Sequence, residues 1–429
     1  MLITSNRMPN RLDSISRRDF LKTSSLGTLA GVLTSEWVLL EPEPTELRPS
    51  ITDTVNCAVI GYGLWGREIS ATLLRLEEAN LVAVCDTYPV MLRRAERSLS
   101  EISTYTDYRE ILDHAEIPAV FIATPSHLHS QIVLDALQAG KHVYCEAPLA
   151  SSIGDARRIA ASARDHEGQI FQGGLLYRTE PQYRSVYGFI RSGALGKAIM
   201  ARAQWHSRES WRRTSPDSAR TRALNWRLDP EISPGLMGEV GIQQYDTAMW
   251  IFGGLPSAVS GFGGVYYWKD RDVADTAQTV MDFSTGERMI YDATIVSSFD
   301  AMYDTFYGSD STIILRDGKA WMFKEVDAPM QGWEVYARKD KFYKETGIAL
   351  LANATKLDAL GQDATDDDPN AETPLFHALK AFMDNYFFGP YEPVMNYQKS
   401  FDATVVALKA NEAVIANSRI EFQPEWFEI

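Results

Sequence analysis

From residue 55 onward, short and continuously apolar runs alternate with longer runs whose apolar positions recur every three or four residues. Residues 55–60, 81–85, 119–123 and 142–145 are apolar almost throughout and read as buried strands. Between and after them, 64–76, 90–99, 131–139 and 153–166 carry helical spacing, with Ile69, Leu73 and Leu76 marking the first. The alternation predicts an α/β fold whose first domain, residues 51–172, is a doubly wound parallel sheet with helices on both faces.

The rhythm changes near Gly173. Runs at 199–205, 259–266, 279–283, 289–295, 312–315 and 320–323 read as strands, and Asp317-Gly318 between the last two reads as a hairpin turn. One strong helix, 237–252, lies among them. An acidic, polar loop is expected at 358–373, and helices at 375–388 and 401–416 close the chain. Residues 173–429 are therefore expected to form an α+β domain with a mostly antiparallel sheet. No repeat of solenoid period is present.

The first 50 residues break the pattern. Ser16-Arg17-Arg18-Asp19-Phe20-Leu21-Lys22 resembles the twin-arginine export signal, and a modest apolar stretch follows at 26–40, interrupted by Glu36. That stretch is short for a spanning helix. A Pro- and Glu-rich linker follows at 41–53. Export to the periplasm is the expectation, with the twin-arginine machinery as a partner. No clear cleavage site follows, so a membrane tether by an uncleaved signal stays open.

Composition narrows the classes. The chain has 429 residues, 45% hydrophobic and 23% charged, as an ordinary globular protein does. Its net charge of −15 argues against a nucleic-acid partner, because a phosphate backbone needs a basic face. Three cysteines, Cys57, Cys85 and Cys145, each fall in an apolar run without C-x-x-C spacing, so neither a disulfide framework nor a metal site is expected.

Gly61-Tyr62-Gly63-Leu64-Trp65-Gly66 is a G-x-G-x-x-G that directly follows a strand and opens a helix. The glycines allow a tight turn, close approach of the backbone to a pyrophosphate and close helix–strand packing. The helix N-terminus offers free N–H groups to the anion. Asp86 ends the next strand twenty residues after Gly66, where a carboxylate meets the adenosine ribose. A carboxylate there repels a 2′-phosphate, so NAD is expected ahead of NADP, with Arg93 and Arg94 nearby on the other side of the balance. This is a Rossmann dinucleotide domain.

Three further blocks follow: Ala123-Thr124-Pro125-Ser126-His127-Leu128-His129, then Ala139-Gly140-Lys141-His142-Val143, then Cys145-Glu146-Ala147-Pro148-Leu149. In order and spacing they resemble the Gfo/Idh/MocA family of NAD(P)-dependent oxidoreductases, and the exported chain is similar to its glucose-fructose oxidoreductase and family 109 glycosidase branches. The resemblance implies Thr124, Pro125 and Glu146 as cofactor contacts, an open-faced second sheet and a homo-oligomer, while His127 and His129, at the carboxyl end of a parallel strand, are expected to contact cofactor or cap the helix. The family's usual lysine is replaced by Ala147. The family's Asp-x-Gly-x-His-x-x-Asp helix is here Glu239-Val240-Gly241-Ile242-Gln243-Gln244-Tyr245-Asp246, with Gln243 in the histidine position.

Glu239, Gln243, Asp246 and Trp250 fall at helical spacing on one face. A polar stripe of this kind is either a solvated helix face or a functional one, in which Glu239 and Asp246 are candidate catalytic carboxylates and Gln243 a hydrogen-bonding partner for a sugar hydroxyl. Tyr177 is a candidate proton donor and Arg178 lines the cleft by resemblance. Between His206 and Arg227 six arginines alternate with tryptophans, Trp211 and Trp226 among them. That composition suits a large or anionic saccharide held by His206 and Trp226, or a loop whose arginines pair with acids elsewhere; the sequence leaves both open.

Three functions are weighed. The first is an exported oxidoreductase moving hydride between tightly bound NAD and a carbohydrate or sugar-like alcohol. The second is an NAD-dependent glycoside hydrolase or lyase working by transient oxidation and elimination. The third is a non-catalytic NAD- or sugar-binding protein, because the family lysine and histidine are both replaced.

Overall fold

A computed structural model describes residues 53–337, 339–342, 345–350 and 372–429. The leader, nearly all of the linker and nearly all of the acidic stretch 358–373 lie outside the described residues. The apolar runs form strands β1 (Val55–Ile60), β2 (Ala79–Cys85), β4 (Ala119–Ile122) and β5 (His142–Cys145), joined by the short β3 (Ser103–Tyr105) and β6 (Phe171–Gly173). All six pair in parallel in the order β3-β2-β1-β4-β5-β6. The order reverses between β1 and β4, which opens a crevice at their carboxyl ends where doubly wound folds bind ligands.

Helices α1 (Leu64–Leu73), α2 (Pro89–Ser98), α3 (Tyr108–Leu112), α4 (His129–Gln138) and α5 (Ile153–Asp165) cover this sheet. Asp107 caps α3 and Ser152 caps α5, each accepting a hydrogen bond from a first-turn N–H. Cys57, Cys85 and Cys145 are free and buried, and desolvation pushes the Cys57 and Cys85 thiols up to about 12.

The second domain begins with α6 (Pro181–Arg191) and a ten-stranded sheet in the order β14-β15-β13-β12-β11-β7-β10-β9-β8-β16. Its members are β7 (Ala198–His206), β8 (Pro256–Gly264), β9 (Thr276–Phe283), β10 (Arg288–Thr294), β11 (Met302–Gly308), β12 (Ser311–Arg316), β13 (Lys319–Lys324), β14 (Lys339–Phe342), β15 (Glu345–Leu350) and β16 (Arg419–Glu421). Among its described residues only β7 and β10 pair in parallel. Asp317 and Gly318 both take positive φ, 51° and 69°, between β12 and β13, as a tight two-residue hairpin requires. Strand β11 was not anticipated, because Met302-Tyr303-Asp304-Thr305-Phe306-Tyr307 has no apolar run. Its Asp304 is nonetheless buried, bonded by the Tyr183 hydroxyl at 2.5 Å.

The expected helix at 237–252 divides. Met237–Gly241 forms a π-helical turn and only Ile242–Phe252 is α-helix, α8. The wider turn rotates less per residue, so α-helical spacing does not carry through from Glu239 to Gln243 and Asp246. Helices α9 (Pro374–Phe388) and α10 (Tyr397–Ala416) return to the first domain. Leu149 N donates to Thr404 Oγ1, Gln172 Nε2 donates to Ala378 O, and Phe382 packs edge-on against Phe121. One apolar core therefore runs from β1 and β4 through these helices into the second sheet.

Candidate functional site

Gly61, at the end of β1, has φ of +96°, and a Cβ there would meet Ala123 O at 2.7 Å. A Cβ on Gly66 would lie 1.8 Å from Gly61 O. A Cβ on Gly63 would meet no protein atom within 4 Å. The first and third glycines thus serve packing, and the second faces open space. No side chain caps α1, so its first-turn N–H groups are left for a ligand to satisfy. These are the features a pyrophosphate requires. Leu64 and Trp65, the variable residues of the loop, are exposed, while Tyr62 is buried with its hydroxyl 3.3 Å from Ser98 Oγ.

Asp86 is buried and fixed by two backbone donors, Tyr62 N to Oδ2 at 3.0 Å and Tyr88 N to Oδ1 at 2.8 Å. Desolvation raises its pKa, with those bonds and Arg220 opposing. Each oxygen keeps a lone pair for a ribose hydroxyl.

Four buried polar atoms without a partner among the described residues gather around this crevice: Thr124 Oγ1 and His127 Nδ1 after β4, Glu146 Oε1 after β5, and Arg220 Nε. Unpaired buried polar atoms are rare in a folded protein, and their concentration at one sheet edge marks where a ligand completes the structure. Burial pushes Glu146 up to about 7, with Trp65 and Tyr144 partly offsetting it. Burial also holds the His127 imidazole below its ordinary range, with Asp229 and Glu239 opposing.

Glu239 reaches this edge from the second domain. It accepts from Ser126 Oγ at 3.1 Å and pairs with the Arg227 guanidinium. Arg227 lies 4.7 Å above the Trp226 ring, and Trp226 packs 5.8 Å from His127. Ser126 and Arg227 were not foreseen. Their signal in the sequence was only their place in the Ser126-His127 loop and in the Arg/Trp segment, and neither names its partner.

Several expected site residues have other roles. Asp246 forms a two-bond ion pair with Arg178, both contacts at 2.8 Å and both side chains buried. The two charges therefore satisfy each other, and the small pocket of about 180 Å³ they line is shared with Lys399 and Asp402 and not with the nucleotide loops. The Gln243 side chain accepts from Leu176 N at 2.9 Å and donates to Gly174 O at 2.8 Å, because its amide complements the peptide groups left open after β6. It joins the domains and does not present itself to a sugar. Tyr177 is sealed in the core, stacked on Tyr183 at 4.4 Å with its hydroxyl on Met302 Sδ, and burial raises its pKa, so it is unsuited to donate a proton.

The His129 ring nitrogens lie 3.2 Å from Pro148 O and 2.8 Å from Thr124 O. His129 is wholly buried, its pKa held down at about 4, and it braces two loops from behind the cofactor crevice. His206 bonds Asp292 at 2.5 Å and Phe299 O at 3.0 Å. It shares a strand face with the exposed Arg202, opposite the buried Ala201 and Ala203, so it points away from the first domain.

The arginine segment is also decided. Arg212 pairs with Asp270, Arg213 with Glu209, Arg227 with Glu239, and Arg220 and Arg222 stand 4.0 Å from Asp86 and Asp229. Arg208 donates to Val296 O and the Tyr267 hydroxyl. A cavity of about 290 Å³ here is lined by Arg212, Arg222, Arg271 and by Asp229, Asp270, Asp272, so its charges balance. The segment is a paired strap across the domains, not a free anion site. Among the described residues no cluster suited to a metal ion occurs, and no helix is long and apolar enough to cross a membrane.

Residues 55–173 match the family model described as "Oxidoreductase family, NAD-binding Rossmann fold", and 183–314 match the "GFO/IDH/MocA C-terminal domain". The chain is similar to a 2,7-anhydro-N-acetylneuraminate hydratase of Mediterraneibacter gnavus, 28% identical over 49% of this chain and 53% of that protein. It is likewise similar to a levoglucosan dehydrogenase of Pseudarthrobacter phenanthrenivorans, 28% identical over 40% of this chain and 42% of the relative. The chain thus spans about half the length of these curated relatives. Its fold is that of a levoglucosan dehydrogenase solved with NADH and levoglucosan, at a TM-score of 0.69, 20% identity, 86% of this chain and 99% of the other. An oxidoreductase domain protein from Kribbella flavida gives 0.71, also at 20% identity, over 86% of this chain and all of the other.

Proposed function

The chain belongs to the Gfo/Idh/MocA oxidoreductase family, with an NAD-binding Rossmann domain, and from that membership we propose that it moves hydride between tightly held NAD and an alcohol of a carbohydrate. The observation that carries this is the meeting of Thr124, His127 and Glu146, each with an unpaired buried atom, with a Glu239 delivered from the second domain.

Bound NAD supplies the hydride acceptor. Gly63 and the start of α1 hold its diphosphate, Asp86 its adenosine ribose, and the loops after β4 and β5 the nicotinamide end. Oxidising a hydroxyl also requires an acceptor for its proton. The usual lysine is Ala147 and Gln243 is engaged with backbone, so His127, neutral and with Nδ1 free, takes that role. Glu239, fixed by Ser126 and Arg227, orients the hydroxyl. Trp226, packed on His127, gives the sugar ring an apolar wall.

The replaced lysine and histidine, and a hydratase among the relatives, favour a second reading in which the oxidised sugar undergoes elimination and the hydride returns. In both readings the protein is exported by the twin-arginine route into the periplasm, where a retained cofactor is needed. An uncleaved leader would tether it to the membrane. Phe262, Val280 and Ile290, exposed on neighbouring strands of one sheet face, support a homo-oligomer.

The test is a panel of free sugars, sugar alcohols and aryl glycosides against the NAD-loaded protein. Reduction of bound nicotinamide by a free sugar supports the first reading; aryl glycoside cleavage without net reduction supports the second. A protein that binds NAD and turns over nothing on the panel leaves a binding function and sinks both.

A further inference from the structure

The segment between β7 and the π-helical turn leaves the second domain and crosses back over the nucleotide crevice. Trp226 packs on His127 of the loop after β4, Arg227 holds Glu239, which accepts from Ser126 of that loop, and α7 (Ser218–Leu224) carries Arg220 to the other end of the crevice. The Arg220 guanidinium stacks 4.4 Å over the Tyr88 ring, and its Nη2 lies 4.0 Å from Asp86 Oδ1. Its side chain is only 17% exposed, and its Nε is buried without a partner.

We propose that Arg220 and Asp86 are a donor–acceptor couple, one from each domain, that clasps the adenosine ribose and fastens the strap over the bound dinucleotide. A separation of 4.0 Å is too long for a hydrogen bond and leaves room for one bridging hydroxyl. A ribose hydroxyl suits both sides, since it accepts from a guanidinium and donates to a carboxylate. Each oxygen of Asp86 already accepts one backbone N–H, which fixes the carboxylate and leaves a lone pair on each for that bond. The stack on Tyr88 holds the guanidinium plane, and the unpaired Nε is a second donor toward the same sugar. A 2′-phosphate satisfies only the arginine and meets the Asp86 carboxylate, so the couple selects NAD while Asp86 is present. Without Asp86 the same arginine becomes a 2′-phosphate ligand.

This inference rests on the dinucleotide reading of the glycine loop, and the experiment separates the two. Full-length protein stripped of nucleotide is titrated with NAD, NADP and nicotinamide mononucleotide, followed by tryptophan fluorescence, for wild type, Arg220→Ala, Arg220→Lys and Asp86→Ala with and without Arg220→Ala. Loss of a charge-assisted contact predicts NAD binding weakened about tenfold or more in Arg220→Ala. Nicotinamide mononucleotide, which lacks the adenosine, stays within about twofold. Arg220→Lys recovers part of the loss. Asp86→Ala gains NADP affinity, and the double variant does not. NAD slows proteolysis within 207–236 in wild type and not in Arg220→Ala. Unchanged NAD affinity in Arg220→Ala, or an equal loss for the mononucleotide, overturns the clasp alone. Failure of wild type to bind NAD overturns the dinucleotide reading and the clasp with it.

Discussion

Alanine at Gly63 and at Gly66 should separate binding from folding within one loop. At Gly66 the new Cβ would lie 1.8 Å from Gly61 O, where a carbon–oxygen contact wants about 3.3 Å. The end of β1 and the start of α1 must part by about 1.5 Å, and overpacking on that scale costs about 3 kcal/mol or more. At Gly63 the Cβ meets nothing within 4 Å, and the backbone is extended at φ −70°. Alanine is a slightly worse N-cap than glycine, but it restricts the unfolded chain, so stability should move by less than about 1 kcal/mol. The methyl does, however, occupy the space a diphosphate needs. Losing two charge-assisted bonds of about 1.5–3 kcal/mol each weakens NAD by about two to four powers of ten. Urea unfolding and NAD titration of both variants provide the assay. A Gly63→Ala protein that holds NAD as tightly as wild type refutes the assignment of that space, and an unimpaired Gly66→Ala refutes the packing argument.

Three other outcomes follow from the site and its supports. Arg178→Met leaves Asp246 charged and buried and should cost about 3–5 kcal/mol, much of it recovered by adding Asp246→Leu, as thermal unfolding would show. Burial raises Asp304 to about 7, so its unfolded state releases the proton first as pH rises; stability should fall from about pH 4 to pH 7, and Asp304→Asn should flatten that slope. Glu239→Gln and His127→Gln should each lower turnover about a hundredfold or more while leaving NAD affinity within about threefold. Only the histidine variant should lose the acidic limb of the pH profile, since burial lowers that imidazole's pKa. Equal effects on NAD affinity would move either residue out of the catalytic role.

The nucleotide half was legible because its determinants are local. Three glycines at fixed spacing, an apolar run before them and a carboxylate twenty positions on need only the chain itself to find one another. The substrate half was less legible. Helical spacing assigned Glu239, Gln243 and Asp246 to one face, but each meets a separate partner brought from elsewhere in the chain: Ser126 and Arg227, the Gly174–Leu176 backbone, and Arg178. His206 was misplaced for a different reason, since strand alternation does not say which face meets the first domain until β7 is paired with β10 and β11.

By itself the sequence determined the parallel nucleotide-binding layer, the change to a second sheet domain, the hairpin at Asp317-Gly318 and the inert state of the cysteines. Each follows from a period or a spacing within a few dozen residues. Only the tertiary structure decided which charges are free. Arg220, Arg227 and Asp246 look equally available along the chain, yet one stands beside Asp86, one holds Glu239 and one is neutralised by Arg178. The physical reason is that a charge takes its role from the opposite charge and the dielectric around it, and both are supplied by segments far away in sequence.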